Sequence, residues 1–319
     1  MLTRSLGHSG IPVTPLILGT WQAGKRGWVG VDEVDLIRTV QAALDQGITT
    51  LDTAEIYGDG ASETLVGRAL AGRRQEVVLA TKVFANHLRP DQVIQACDDS
   101  LKRLQTDWID LYQIHWPAGT WGSEVVPIED TLGALLQLKQ QGKIRAIGVS
   151  NFSLAQLQAA VACGPVDSLQ PPYSLFWRFI ERDLHPYCLE QGITVLAYSP
   201  LAQGLLTGRF GPDHVFPEGD VRRLNKLFQG EIYTQAQIVL AGLRQIADEK
   251  GITVGQLALA WVMAQPQTCA IAGARIPEQV VENRRAVDVT LTAADLEAMD
   301  GLSQPVVTRL DENPVMWNF

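Results

Sequence analysis

Four residues carry the chemistry this chain most directly suggests: Asp52, Tyr57, Lys82 and His115. Asp52 and Tyr57 share the run Leu51-Asp52-Thr53-Ala54-Glu55-Ile56-Tyr57-Gly58, and Lys82 and His115 close two later apolar runs. A phenol of ordinary pKa near ~10 is a poor proton donor at neutral pH. An ammonium group beside it favours the phenolate and lowers that pKa, while a carboxylate holds the ammonium in place. Such a group suits protonation of the alkoxide that forms when hydride is delivered to a carbonyl. Singly, each residue has a plain structural use. Asp52 can cap a loop, Lys82 can be a strand-end surface charge, and His115, beside Trp116-Pro117, can be a satisfied core histidine. It is the joint placement on successive strand ends that argues for chemistry.

The elements that must position them follow from an alternation of short apolar runs with longer amphipathic ones. Strands are predicted over 16–19, 49–53, 77–83, 108–115, 144–150, 168–170, 194–198 and 269–273. Helices are predicted over 32–46, 62–71, 90–103, 128–140, 153–163, 182–190, 233–250 and 277–285, with an extra one within 252–265. Ser62 with Glu63, Pro90-Asp91, Ser153 and Pro277-Glu278 read as helix starts. Gly47, Gly142 and Gly192 read as helix stops. Eight strand–helix units point to a single parallel (β/α)₈ barrel spanning 1–319 rather than an open sheet. Its active site then lies at the carboxyl ends of the strands. Residues 2–13, with Gly7 and the Ser9-Gly10 turn, read as a hairpin before the first barrel strand. The stretch 205–230 is long for a loop and is read as a cover for the cofactor, and 301–319 as a C-terminal tail.

Bulk properties narrow the class. The 319 residues are 46% hydrophobic and 19% charged, ordinary for a globular protein with a large core. A net charge of −9 argues against a nucleic-acid surface. Cys97, Cys163, Cys188 and Cys269 show no metal or disulfide spacing and read as reduced thiols. The N-terminus lacks a signal-peptide apolar core and no run is long enough to span a membrane, so a cytoplasmic location is expected, without an obligate protein partner.

With these residues in view, the chain resembles the aldo-keto reductases, including bacterial-type members similar to channel beta subunits and general oxidoreductases. Leu6-Gly7-His8-Ser9-Gly10 and Leu18-Gly19-Thr20-Trp21 resemble the family's hairpin and first strand. Asp52–Gly58 resembles its first signature, Thr81-Lys82 its lysine strand, and Asp110-Leu111-Tyr112-Gln113-Ile114-His115-Trp116 its histidine strand. Arg145-Ala146-Ile147-Gly148-Val149-Ser150-Asn151-Phe152 and Ala197-Tyr198-Ser199-Pro200-Leu201 resemble its two cofactor segments. The resemblance implies Tyr57 as general acid, Lys82 as its pKa depressant, Asp52 as partner of Lys82, and His115 as the group orienting the substrate carbonyl.

A hydride donor is required, yet no G-x-G-x-x-G opens a helix after a strand, which disfavours a Rossmann site. The resemblance implies NADPH extended across the barrel mouth. Ser150, Asn151 and Gln170 would hold the carboxamide and Tyr198 would stack on the nicotinamide. Ser199, Leu201 and Gly204 would line the pyrophosphate channel, with Gly19, Thr20 and Trp21 closing its catalytic end. The segment 270–283 resembles the adenosine-binding turn. There Gly273 permits close backbone approach, and the helix opening at Pro277 offers free N–H groups. Arg275 is either a partner for a 2′-phosphate or a surface arginine. Gln279, Glu282 and Asn283 share one helical face toward adenosine. Arg209 and Arg222 either clamp the pyrophosphate or form a solvated basic face.

Trp21, Trp28, Trp116 and Trp121 are candidates for an aromatic wall accepting flat apolar carbonyls such as quinones and aromatic aldehydes, with 314–319 folding over the mouth. The expected function is NADPH-dependent reduction of aldehydes, ketones or quinones. The alternative is a nucleotide-bound regulatory or redox-sensing subunit with slow turnover. A metal-dependent barrel hydrolase is disfavoured, because His8, His87, His185 and His214 do not gather at strand ends. Asp110, Trp177 and Arg178 are read as structural.

Overall fold

A computed structural model describes residues 1–25, 28–313 and 315–316. A two-stranded antiparallel hairpin, β1 (Arg4–Ser5) and β2 (Pro12–Val13), precedes a closed parallel barrel. Its strands are β3 (Leu16–Gly19), β4 (Thr50–Asp52), β5 (Val78–Val83), β6 (Ile109–Ile114), β7 (Ile144–Ser150), β8 (Ser168–Gln170), β9 (Thr194–Tyr198) and β10 (Thr268–Gly273), and β10 pairs back onto β3. These runs are apolar on both faces because one face fills the barrel and the other meets the helices.

The helical coat comprises α1 (Glu33–Asp45), α2 (Ala61–Ala69), α3 (Pro90–Leu104), α4 (Ile128–Gln140), α5 (Leu154–Cys163), α6 (Leu184–Glu190), α7 (Gly230–Glu249), α8 (Val254–Ala264), α9 (Pro277–Arg284) and α10 (Ala293–Val307). Asp32 caps α1 through Val34 and Asp35 N–H, and Ser153 and Thr253 open α5 and α8 with capping boxes. The bottom of the barrel is sealed by a separate apolar cluster in which Leu6, Ile11 and Val13 of the hairpin meet Ile17, Leu111, Ala146 and Leu196. The Arg4 guanidinium ties the hairpin to the Thr268 and Met263 carbonyls.

Two sequence expectations are corrected. Ser62 does not cap α2: Gly60 holds the cap position at φ 89°, and the Ser62 hydroxyl instead turns inward to the Thr20 carbonyl at 2.9 Å. The free tail was placed too early, since residues 301–307 complete α10. Thr292 and Asp295 start this helix with a capping box, and Met299 and Val306 bury against the core. Beyond it, the Met316 carbonyl accepts from Lys226 N–H at 2.9 Å. No described residue of the tail lines the cavity, and the expectation for 314 and 317–319 lies outside the described residues.

The stretch 205–230 is not structureless. Short 3₁₀ turns over Ala202–Thr207, Val221–Leu224 and Lys226–Phe228 fold it onto an aromatic cluster of Phe210, Phe216 and Phe228.

Candidate active site

Strand register decides which side chains meet. Gly19 pairs with Asp52, Asp52 with Ala80, Lys82 with Gln113, Gln113 with Gly148, and Ser150 with Gln170. Asp52 and Gln170 end their strands and Lys82 is the last residue but one of its own, with His115 directly after β6 and Tyr57 in the turn after β4. Lys82 is wholly buried, and its Nζ donates to Asp52 Oδ1 at 2.6 Å, the Thr53 carbonyl at 2.7 Å and Tyr57 Oη at 3.4 Å. A buried ammonium is tolerable only with such full pairing.

The electrostatics differ in one respect from the sequence reading. Burial is the largest influence on Tyr57 and raises its pKa; Lys82 pulls it down and Asp52 pushes it up, leaving it above the ordinary 10.0. Lys82 is therefore a brake on a pKa raised by burial, and the phenol holds its proton at neutral pH. For Lys82, burial works against the charged form, yet Asp52 and Tyr57 together keep its pKa above 10.5. His115 is driven well below 6.5, first by burial and then by Lys82, so it is neutral. Its buried Nδ1 has no hydrogen-bond partner among the described residues, and the residue lines the cavity. The His115 ring stands edge-on between Tyr57, at 5.7 Å between ring centres, and Phe84, at 5.6 Å.

The backbone beneath Tyr57 is equally specified. A Cβ on Gly24 would lie 2.6 Å from the Tyr57 carbonyl carbon, and one on Gly58, at φ 64°, would lie 2.2 Å from the Gly24 oxygen. Both glycines let the 21–24 turn press against the tyrosine segment.

A cavity of about 920 Å³ runs from these groups across the mouth. Of the catalytic and cofactor-binding candidates named from the sequence, all but the buried Lys82 line it. At the catalytic end, Asn151 (φ 62°) donates to the His115 carbonyl and Ser150 Oγ, each at 3.0 Å, and accepts from Tyr198 Oη at 2.9 Å. Ser150 Oγ donates to the Gln170 carbonyl at 2.7 Å, and Gln170 Nε2 donates to Asp52 Oδ2 at 2.9 Å. Thr20 Oγ1 donates to the Asp52 carbonyl at 2.9 Å, and Gly19 leaves room where a Cβ would meet Ile271 at 2.8 Å.

At the far end lie Ser199, Leu201, Gly204, Gly273 and Asn283. Gln279 Oε1 caps the turn by accepting from Arg275 N–H at 2.8 Å, and Glu282 pairs with Arg209. Arg222 is not a solvated cation: Asp220 grips it through two bonds of 2.8 and 2.6 Å, and its guanidinium lies over Trp28, Phe210 and Phe216. Arg275 contacts only the Val29 carbonyl, at 3.4 Å, through its side chain among the described hydrogen bonds.

Part of the cavity wall is aromatic. Trp21 and Trp28 stand edge-to-face at 5.3 Å, as do Trp116 and Trp121, and all four line the cavity with Phe84 and Leu224. Phe84, Leu224 and Gln22 were missed from sequence. Phe84 carried a signal, since it directly follows the lysine strand; Leu224 and Gln22 sit in turns whose direction no local pattern reveals. Asp110, read as structural, bridges Arg74 and Arg145, and Arg178 pairs with Glu181 and Asp300. No cluster able to hold a metal occurs among the described residues, and none of their helices is long and apolar enough to cross a membrane.

A parallel eight-stranded barrel with an Asp–Lys–Tyr–His group at its carboxyl mouth, opening on a long cleft, defines a barrel oxidoreductase. The chain belongs to the aldo/keto reductase family, whose model matches residues 15–304. It is 38% identical over 316 residues to the aldo-keto reductase YhdN of Bacillus subtilis, covering 95% of this chain and 94% of that protein. It is 35% identical over 322 residues to an NADH-specific methylglyoxal reductase of Escherichia coli, covering 94% and 97%. An aldo-keto reductase from Klebsiella pneumoniae, solved in complex with NADPH, superposes with a TM-score of 0.77 at 32% identity, covering all of both chains.

Proposed function

We propose that this protein reduces apolar aldehydes, ketones or quinones with NADPH, using Tyr57 as the proton donor. The observation that carries the reading is the buried Lys82 contacting Asp52 and Tyr57 at once. Its residues fit the nucleotide. Ser150, Asn151 and Gln170 meet at the catalytic end of the cavity, Tyr198 offers a ring there, and Arg275 waits at the other end without a carboxylate partner among the described ion pairs. When bound, the nicotinamide supplies hydride to the carbonyl carbon.

His115, neutral, donates to the carbonyl oxygen and orients it. Tyr57 Oη passes its proton to that oxygen as negative charge develops on it. Lys82 steadies the phenolate left behind, and Asp52 keeps Lys82 charged and aimed. The tryptophans exclude water and press on flat apolar groups.

Tyr57→Phe tests the reading, because it removes the proton donor and leaves the ring. Loss of about 10²–10⁴ in turnover is expected. Unchanged reduction of a good aldehyde or quinone would sink the assignment. A role as a slow nucleotide-sensing subunit predicts instead tight NADPH binding with little turnover of any carbonyl in the same panel.

A further inference from the structure

Behind the Lys82–Asp52 pair lies a residue with no assigned part. Gln113 is wholly buried in β6, beside Lys82 on one side and Gly148 on the other. Its Nε2 donates to Asp52 Oδ2 at 3.4 Å, and its Oε1 accepts from Gln170 Nε2 at 3.3 Å. Gln170 Nε2 donates to that same Asp52 oxygen at 2.9 Å. The carboxylate is therefore divided, with Oδ1 given to Lys82 and Oδ2 to two glutamine amides. A buried amide is costly unless paired, and the partners of this one are Asp52 and Gln170.

Room has been made for it. A Cβ on Gly148 would lie 2.9 Å from Gln113 Cγ, 3.2 Å from Leu111 Cδ1 and 2.3 Å from Ser168 Oγ. The backbone of Gly148 is not left-handed, so the glycine is there for space rather than for a turn. A side chain at 148 would crowd Ser168 Oγ and Gln113 Cγ, so that both must shift.

We propose that Gln113 is a positioning residue for carbonyl reduction: with Gln170 it fixes Asp52 so that one oxygen alone meets Lys82, which sets how strongly Lys82 acts on Tyr57. The proposal rests on Tyr57 being the proton donor. Because Gln170 also lines the cavity, the same amides join its wall to the buried ion pair.

Gln113→Met keeps most of the volume and removes the amide. A fall in kcat of about tenfold is expected from loss of one bond to a charged group. The KM for NADPH should change less than kcat, since Gln113 meets the nucleotide site only through its bond to Gln170. The alkaline limb of the kcat/KM profile should move upward by about half a unit, because an Asp52 released from its amide donors takes more of Lys82's charge for itself. Gly148→Ala displaces Gln113 without removing its amide and should move the limb in the same direction. Gln113→Asn, one methylene short, should lie between Met and the wild type.

A folded Gln113→Met enzyme with wild-type kcat and an unmoved limb overturns the proposal. So does a lower melting temperature with the limb unmoved. If Gln113→Met does not fold, an unmoved limb in Gly148→Ala or Gln113→Asn overturns it equally. Full activity in Tyr57→Phe would instead remove the acid assignment beneath it, whatever the Gln113 variants do.

Discussion

Replacing Arg275 with alanine should convert a preference for NADPH into near indifference between the two nucleotides. The turn bearing Arg275 is held by its main chain, through the 2.8 Å bond from its N–H to Gln279 Oε1, and that bond survives the substitution. Among the described hydrogen bonds the guanidinium makes one, to the Val29 carbonyl at 3.4 Å. Burial and then the positive charge of Arg222 hold its pKa below the usual arginine range, with Asp220 opposing them. Among the described ion pairs it has no carboxylate in direct contact, and a 2′-phosphate would supply an anion. A hydrogen bond to a charged group contributes about 1.5–3 kcal/mol. That corresponds to a roughly ten- to hundredfold loss in NADPH affinity, with NADH changed by less than about twofold. The dissociation constants are read by titrating the quenching of tryptophan fluorescence with each nucleotide. The NADPH advantage should also shrink with added salt, as a partly exposed charge pair does. Equal losses for both nucleotides would refute the reasoning and make Arg275 a support of the turn.

Three further outcomes follow from the same geometry. Lys82→Met leaves Asp52 buried without its cation and should destabilise the fold by about 3–5 kcal/mol; the double variant with Asp52→Asn should recover part of this in chemical denaturation while remaining inactive. His115 has a folded pKa well below 6.5, so the unfolded chain takes up its proton first as pH falls. Its contribution to stability is complete above about pH 6.5 and is lost progressively below it, and His115→Gln should flatten the denaturation midpoint against pH in that range. Gly24→Ala puts a Cβ 2.6 Å from the Tyr57 carbonyl carbon and should lower kcat more than it alters nucleotide affinity, measured by steady-state rates and titration.

Much of the architecture was legible because it is local. Strands such as Ile144–Ser150 and Thr194–Tyr198, and helices such as Ile128–Gln140, coincide with apolar periods bounded by caps and glycines. The catalytic types at strand ends were legible for the same reason, since a parallel barrel sends every strand's carboxyl end to one mouth. α10 was not, because its place is fixed by the burial of Met299 and Val306 against distant parts of the core.

What only the tertiary structure decided is how charges and amides are shared. The sequence names Asp52 and Lys82, but not that burial outweighs Lys82 at Tyr57. It names Arg222, but not that Asp220 already holds it beneath three aromatic rings. It shows a glutamine at 113 and a glycine at 148 without saying that one fills the space left by the other. Pattern and capping act over a few residues of chain, whereas desolvation and pairing depend on groups brought together from distant strands.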